Sequence, residues 1–322
     1  MRALEWDGEV ARVRERAAPA IAPDRAIVRM VRAGICNTDL EIARGYMSFR
    51  GVLGHELAGV VVEGPDAWLG KRVTAEINFA CDKCQSCRTG MPRHCSNRTV
   101  MGILGADGAI AERVSVPIAN LHEVPTGVSD AHAAFVEPLA AAFEIMDQVS
   151  VISGTRCAVL GDGKLGLLVA QVLKRAGGKV LAIGKHEEKL AILRARGIDV
   201  DTFDAFKARR DLFDVVVEAT GSAAGLASAI AATRPRGTLV LKSTVADKIP
   251  LDVAPIVINE ITLVGSRCGR FAPAIQALAE GSVDVGSLVS AHVPLSKADE
   301  ALRLAASHGV LKVLVENDAQ GS

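Results

Sequence analysis

Net charge is missing from this 322-residue chain: 37 Lys and Arg balance 37 Asp and Glu, and the pI is near 7.0. A neutral surface sets up no global field for nucleic acid or an anionic membrane, so a small neutral molecule is the default partner. Long apolar runs are missing as well. Nowhere do roughly 18 uncharged apolar residues follow one another, and the opening MRALEWDGEVARVRER carries a charge every few residues; the expectation is a soluble, cytoplasmic protein. Repeats, low-complexity segments and long linkers are absent. A disulfide framework is disfavoured too, because the seven cysteines (36, 81, 84, 87, 95, 157 and 268) are odd in number and clustered. In a reducing cytosol such clustering favours metal over disulfide.

What is present is enough apolar material for a large core, with 49% hydrophobic residues and a mean hydropathy of +0.27. The length exceeds that of one ordinary domain, so two are expected. Up to about Ile118, short β-branched runs such as RAIVRMVRAG, LAGVVVEG, GKRVTAEI and AERVSVP alternate with turn residues, which reads as a β-rich, barrel-like domain. From about Ser129 the pattern changes to DAHAAFVEPLAAAFEIMDQV, then CAVLGDG, KLGLLVAQVLKRAG, KVLAIG, DVVVEAT, AAGLASAIAATR and TLVLKS. Strand and helix alternate there, the signature of an α/β doubly wound parallel sheet. EITLVGSRCG reads as one more strand, FAPAIQALAEGSV as a helix, and the tail as a helix followed by KVLVE. The expected division is 1–138 with 268–322 in one domain and 139–267 in the other, packed closely around a cleft.

CDKCQSCRTGMPRHC places Cys81, Cys84, Cys87 and Cys95 in the spacing C-x2-C-x2-C-x7-C. Four thiolates close a tetrahedron around zinc and leave no position for substrate, so the expectation is a structural site whose metal supplies the folding energy of an otherwise polar loop. Lys83, Arg88, Arg93 and Arg98 make only a modest basic surface without interleaved aromatics, which argues against a nucleic-acid-binding ribbon.

Within VLGDGKLGLLVAQVL, Gly161, Gly163 and Gly166 make G-x-G-x-x-G between a strand and a helix. Glycines there let the backbone approach a pyrophosphate on the helix N-terminus, which brings Lys164 and Leu165 to the cofactor as well. The next strand ends in Gly184, Lys185 and His186, where an acid would read a free ribose 2′-hydroxyl. Loss of the acid and gain of two potential cations favour NADP over NAD.

Together GICNTD, GHELAG, the four-cysteine lobe, EPLA and the glycine turn resemble, in order and over nearly the whole chain, the zinc-dependent medium-chain dehydrogenase/reductase superfamily of alcohol, sorbitol and threonine dehydrogenases. The resemblance implies a GroES-like β-rich catalytic domain, a Rossmann domain and two zinc ions per chain. It makes Cys36 and His55 catalytic-zinc ligands, with Glu137 of EPLA the third protein residue and Glu56 approaching the metal in the sorbitol and threonine branch. It gives Thr38 the hydroxyl that passes the substrate proton on, and Asp39 the role of orienting His55. Zinc acidifies a bound alcohol, so hydride can leave the carbinol carbon for a nicotinamide near neutral pH.

Departures from the resemblance are Glu41 where many relatives have a relay histidine, Asn37 where some have a cation, and a short segment between Gly45 and Gly54. Lys242, with Ser243 and Thr244 at a strand end, and Arg267 nearby are expected to select a polar or anionic substrate. EITLVG is expected to pair with its copy in a homodimer or homotetramer. Cys157 and Cys268 read as buried apolar thiols. The expected activity is interconversion of a secondary alcohol or polyol with its carbonyl. The competing readings are a metal-independent quinone or enoyl reductase and a non-catalytic zinc- and nucleotide-binding sensor.

Overall fold

The computed structural model describes residues 1–209, 211–244 and 250–318. They form two units, one of Met1–Glu137, Phe271–Glu280 and the chain from Leu288 onward, the other of Pro138–Arg270 and Gly281–Ser287. The boundary expected after residue 267 therefore falls after Arg270, and Gly281–Ser287 belongs with the second unit. Gly281–Ser287 is tied to that unit by the buried Gln171, whose amide donates to Asp284 O at 3.0 Å and accepts from Asp284 N at 2.7 Å.

In the first unit the ten-residue strand Arg25–Gly34 is central. It pairs antiparallel with Glu56–Glu63, Lys312–Glu316 and Arg113–Pro117 in a seven-stranded sheet. Ala26, Ile27, Val28, Met30 and Ala33 are all fully buried, which is why RAIVRMVRAG reads as a near-continuous apolar run. Two three-stranded sheets complete the β-rich part. Val289–Pro294 adds a strand parallel to Lys312–Glu316 that the sequence reading did not separate from the tail helix.

The second unit is built on a six-stranded, wholly parallel sheet. Its order is Asp199–Thr202, Lys179–Gly184, Arg156–Leu160, Phe213–Glu218, Thr233–Leu241, Thr262–Gly265. That is the doubly wound order 3-2-1-4-5-6, whose reversal point lies beside the first strand, where ligands meet the carboxyl ends. Ala158, Leu160, Ile183, Val216, Ala229 and Leu239 fill its core. The Ala-rich stretch around EPLA forms two helices, Asp130–Ala133, capped by Ser129 Oγ accepting from His132 N at 3.2 Å, and Val136–Gln148. Pro138 lies in the first turn of the second helix, where a missing N–H removes no helical bond. Among the described residues no helix is long and apolar enough to cross a membrane.

The glycine turn shows why its spacing is needed. A Cβ on Gly166 would sit 2.0 Å from Gly161 O, and one on Gly161, at φ +122°, would sit 2.5 Å from Ala219 O. Gly166→Ala must push the helix Lys164–Arg175 off the strand; the expected cost is about 1–3 kcal/mol in urea unfolding, with weaker dinucleotide binding by calorimetry. An unchanged midpoint would show that the helix is not seated as described.

Candidate metal and cofactor sites

The central strand of the first unit runs straight into Ile35 and Cys36, after which Asn37–Ile42 forms a short helix. Asp39, fully buried, accepts from Cys36 N through Oδ2 at 2.8 Å and from Gly54 N through Oδ1 at 3.1 Å. One carboxylate thus ties the Cys36 turn to the residue before His55. His55 is 2% exposed, and its Nδ1 faces Asp39 Oδ1 at 3.4 Å without hydrogen-bond geometry. Burial pulls the imidazole pKa down, but Asp39 and the nearby Cys36 more than offset it and hold the pKa well above the ordinary value. The pocket therefore favours positive charge at the ring, and thiol, imidazole and carboxylate form a donor set that fits zinc. Thr38 Oγ1 lies 3.8 Å from Cys36 Sγ.

Glu56 is placed differently from expectation. Its carboxylate forms a fully buried ion pair with Lys312 Nζ, which also reaches Ile35 O at 3.4 Å and lies 5.5 Å from the Phe135 ring centroid. Gly34 makes the room, since a Cβ there would fall 1.8 Å from Glu56 Oε2. Glu137 is buried in the first turn of Val136–Gln148. Cys36, His55, Glu56 and Glu137 do not converge as one ligand group: among the described residues the lobe cysteines are the only group of three or more whose ligand atoms all lie within 4.8 Å of one another. Direct approach of Glu56 to a metal is not the conformation seen, because Lys312 holds it. Lys312 escaped the sequence reading, being 256 residues from Glu56 and resembling an ordinary strand start. Glu41 accepts from Arg44 Nη1 at 2.9 Å, and Asn37 is exposed.

In the lobe, Cys84 Sγ lies 3.5 Å from Cys87 Sγ and 3.7 Å from Cys95 Sγ. Backbone N–H groups of Cys87 and Ser96 draw the Cys84 thiol down to about 6, whereas burial and the neighbouring thiols push Cys87 up to about 12. Crowded thiolates repel one another, and a dication removes that conflict, so the quartet fits zinc.

In the second unit, a Cβ on Gly163 would meet no protein atom within 4 Å, so the turn is open at the N-terminus of Lys164–Arg175 and fits a pyrophosphate. The acid absent from the end of Lys179–Gly184 has not vanished. Asp162, inside the glycine turn, fills the space beside Gly184, whose Cβ would lie 2.5 Å from the Asp162 side chain. Asp162 Oδ2 accepts from Lys185 N at 2.6 Å and His186 N at 2.7 Å and lies 3.0 Å from His186 Nδ1. A carboxylate therefore stands beside this strand end although the strand itself supplies none. The substrate role expected of Lys242 is corrected. Its Nζ donates to Ala141 O at 2.7 Å, Arg267 O at 2.9 Å and Ser266 Oγ at 3.2 Å, engaging all three protons. Arg267 supplies its carbonyl to that bond, and Ser243 Oγ accepts from Gly221 N at 2.8 Å.

The alcohol dehydrogenase GroES-like domain family matches residues 22–126, and the zinc-binding dehydrogenase family matches residues 165–282. The chain is 31% identical to a sorbitol dehydrogenase of Halalkalibacterium halodurans, with 94% of each protein covered. It belongs to the zinc-dependent medium-chain dehydrogenase family. An L-threonine 3-dehydrogenase of Streptomyces avermitilis is 30% identical over 92% of this chain and 93% of its own. The solved structure of a zinc-binding dehydrogenase from Sinorhizobium meliloti bound to NADP superposes with a TM-score of 0.89 at 27% identity, covering 98% of both chains. As a member of this family the chain is an oxidoreductase of the alcohol dehydrogenase type that uses zinc and a nicotinamide cofactor on a small-molecule substrate. The non-catalytic and metal-independent readings are not favoured.

Removing Lys312 while Glu56 stays buried leaves an uncompensated carboxylate. Lys312→Ala is expected to lose about 3–5 kcal/mol in urea unfolding, and pairing Lys312→Met with Glu56→Gln to recover most of it. Equal losses in the single and double variants would refute the ion pair as the source.

Proposed function

We propose that this protein interconverts a secondary alcohol, most plainly a polyol, with its carbonyl, using a catalytic zinc held by Cys36 and His55 with a carboxylate from Glu56 or Glu137, and a second, structural zinc held by Cys81, Cys84, Cys87 and Cys95. The observation that carries the reading is the Asp39 carboxylate joining the Cys36 turn to the His55 segment. The sorbitol and threonine dehydrogenases among its relatives support a hydroxyl-bearing polar substrate.

Zinc, when bound, acidifies a hydroxyl and polarises a carbonyl, and the nicotinamide takes up or supplies hydride. The chain does the rest. Asp39 fixes the backbone on both sides of the ligand pair and keeps His55 Nδ1 facing its carboxylate, leaving Nε2 for the metal. Lys312 holds Glu56 in a buried ion pair. Thr38, close to Cys36 Sγ, is the hydroxyl through which a substrate proton is passed outward. Gly161, Gly163, Lys164, Leu165 and Gly166 form the cofactor turn, with Gly184, Lys185 and His186 at the adenosine end. Asp162 sets a carboxylate beside that end.

A dimer is part of the reading. Thr262–Gly265 is the last strand of its sheet, with Leu263 39% exposed, and the preceding helix Ala254–Ile258 leaves Val257 72% and Ile258 77% exposed. An unpaired edge beside apolar side chains suits pairing with a second copy. A cytoplasmic setting agrees with the thiolates that the lobe requires.

Three measurements test the proposal. Elemental analysis of the purified chain is expected to find about two zinc ions, with Cys36→Ser lowering this to about one while NAD(P)H binding persists; a single zinc in the parent chain would remove the catalytic metal. Assays across alkanols, polyols and hydroxy acids are expected to favour polyols in kcat/KM, and preference for simple alkanols would overturn the substrate class. Sedimentation is expected to show a dimer or tetramer that Leu263→Lys shifts towards monomer; a monomeric parent chain would dispose of the edge pairing.

A further inference from the structure

We propose that Asp162, a residue of the glycine turn, takes over ribose recognition from the empty end of the Lys179–Gly184 strand and makes this protein select the free 2′-hydroxyl of NAD against the 2′-phosphate of NADP. The inference rests on the nicotinamide-dependent reading above. In doubly wound folds the ribose lies between the glycine turn and the end of the second strand, where a carboxylate accepts from its hydroxyl. Here position 184 is glycine for room and not for conformation, since its φ is not positive, whereas any side chain would collide with Asp162. The carboxylate thus reaches the same space from the neighbouring turn.

Its two oxygens have separate tasks. Oδ2 accepts from Lys185 N and His186 N and faces His186 Nδ1, while Oδ1 has no protein donor among the described residues and is left as the acceptor for a ribose hydroxyl. Asp162 is only 8% exposed, and the two amide donors keep it from swinging away. Those amides are taken up by Asp162 and are not free to donate to an incoming phosphate. A 2′-phosphate has either to evict Asp162 from them or to sit against a buried like charge, and both oppose it. Burial alone would raise the Asp162 pKa, but the His186 and Lys185 amides and the His186 ring bring it below the usual carboxylate range, so the charge is present at neutral pH. The cationic candidates, Lys185 and His186, do not reverse this: Lys185 is an exposed side chain, and His186 Nδ1 is turned to Asp162 itself. Glu187, the nearest other acid in sequence, is engaged by Arg194 at 2.6 Å.

Binding of NADH and NADPH to the zinc-loaded full chain, measured by calorimetry, tests the proposal without turnover. The parent chain is expected to bind NADH about tenfold or more tighter than NADPH. Asp162→Asn keeps an acceptor for the two amides and loses only the charge. It is expected to move the Kd ratio towards NADPH by about tenfold or more, with the melting temperature essentially unchanged. Moving the acid, with Asp162→Gly and Gly184→Asp together, is expected to restore the preference for NADH. A purely turn-stabilising Asp162 would change the melting temperature and leave the ratio alone. Equal or tighter NADPH binding by the parent chain, or an unmoved ratio in Asp162→Asn, overturns the inference while leaving the dehydrogenase reading intact. Failure of both nucleotides to bind would overturn the nicotinamide reading and this inference with it.

Discussion

The carboxylate of Asp39 is the constraint on which the metal-binding half of the protein depends. Both of its oxygens are used on backbone, one on each side of the candidate ligand pair, so that the positions of Cys36 and His55 follow from a single buried side chain. Burying it is costly unless its charge is matched. Within the same unit Glu56 is a second fully buried acid, but Lys312 is paired with it, whereas Asp39 faces His55. A dication bound at Cys36 and His55 would lie close to the Asp39 carboxylate and help match its charge. The elevated pKa of His55 expresses the same imbalance: where the chain alone is present, the pocket draws a proton onto imidazole as a partial substitute for positive charge.

Glycine serves the same economy of space at two separated places. Gly34 gives up its side chain so that the Glu56 carboxylate can lie against the central strand, and Gly184 gives up its own so that Asp162 can lie against the strand end. Neither needs glycine for a left-handed backbone. In each case a buried acid occupies the vacated volume and is held by donors from another segment, Lys312 in the first and the Lys185 and His186 amides in the second. A substitution at either glycine would therefore act through the acid beside it and not through the backbone.

This explains what could be read in advance. The two-layer pattern of short β-branched runs followed by alternating strands and helices was legible because burial imposes periods of two and 3.6 on the sequence. The cysteine quartet and the glycine turn were legible because their partners lie within fifteen residues. Lys312 was not, since its meeting with Glu56 depends on Lys312–Glu316 and Glu56–Glu63 flanking the same central strand, a long-range register that local pattern does not carry. Asp162 was visible as a residue but not as an occupant of the space at Gly184, because that needs the distance between two adjacent parallel strand ends. Lys242 misled for the converse reason: a lysine at a strand end suggests an exposed cation, while the fold surrounds it with three acceptors.

The short segment from Gly45 to Leu53 is exposed at its start and anchored at its end, where Val52 and Leu53 are fully buried and Gly51–Val52 pairs with the first strand. Met47 and Ser48 adopt positive φ values of 62° and 49°, and Met47 is 46% exposed, so backbone strain and exposure coincide there. Immediately after it, Gly54 N is bound to Asp39 and a Cβ on Gly54 would strike Ile110 at 2.5 Å, which locks the chain before His55. Lys242, by contrast, is engaged internally by three acceptors and is not available to a ligand in this conformation.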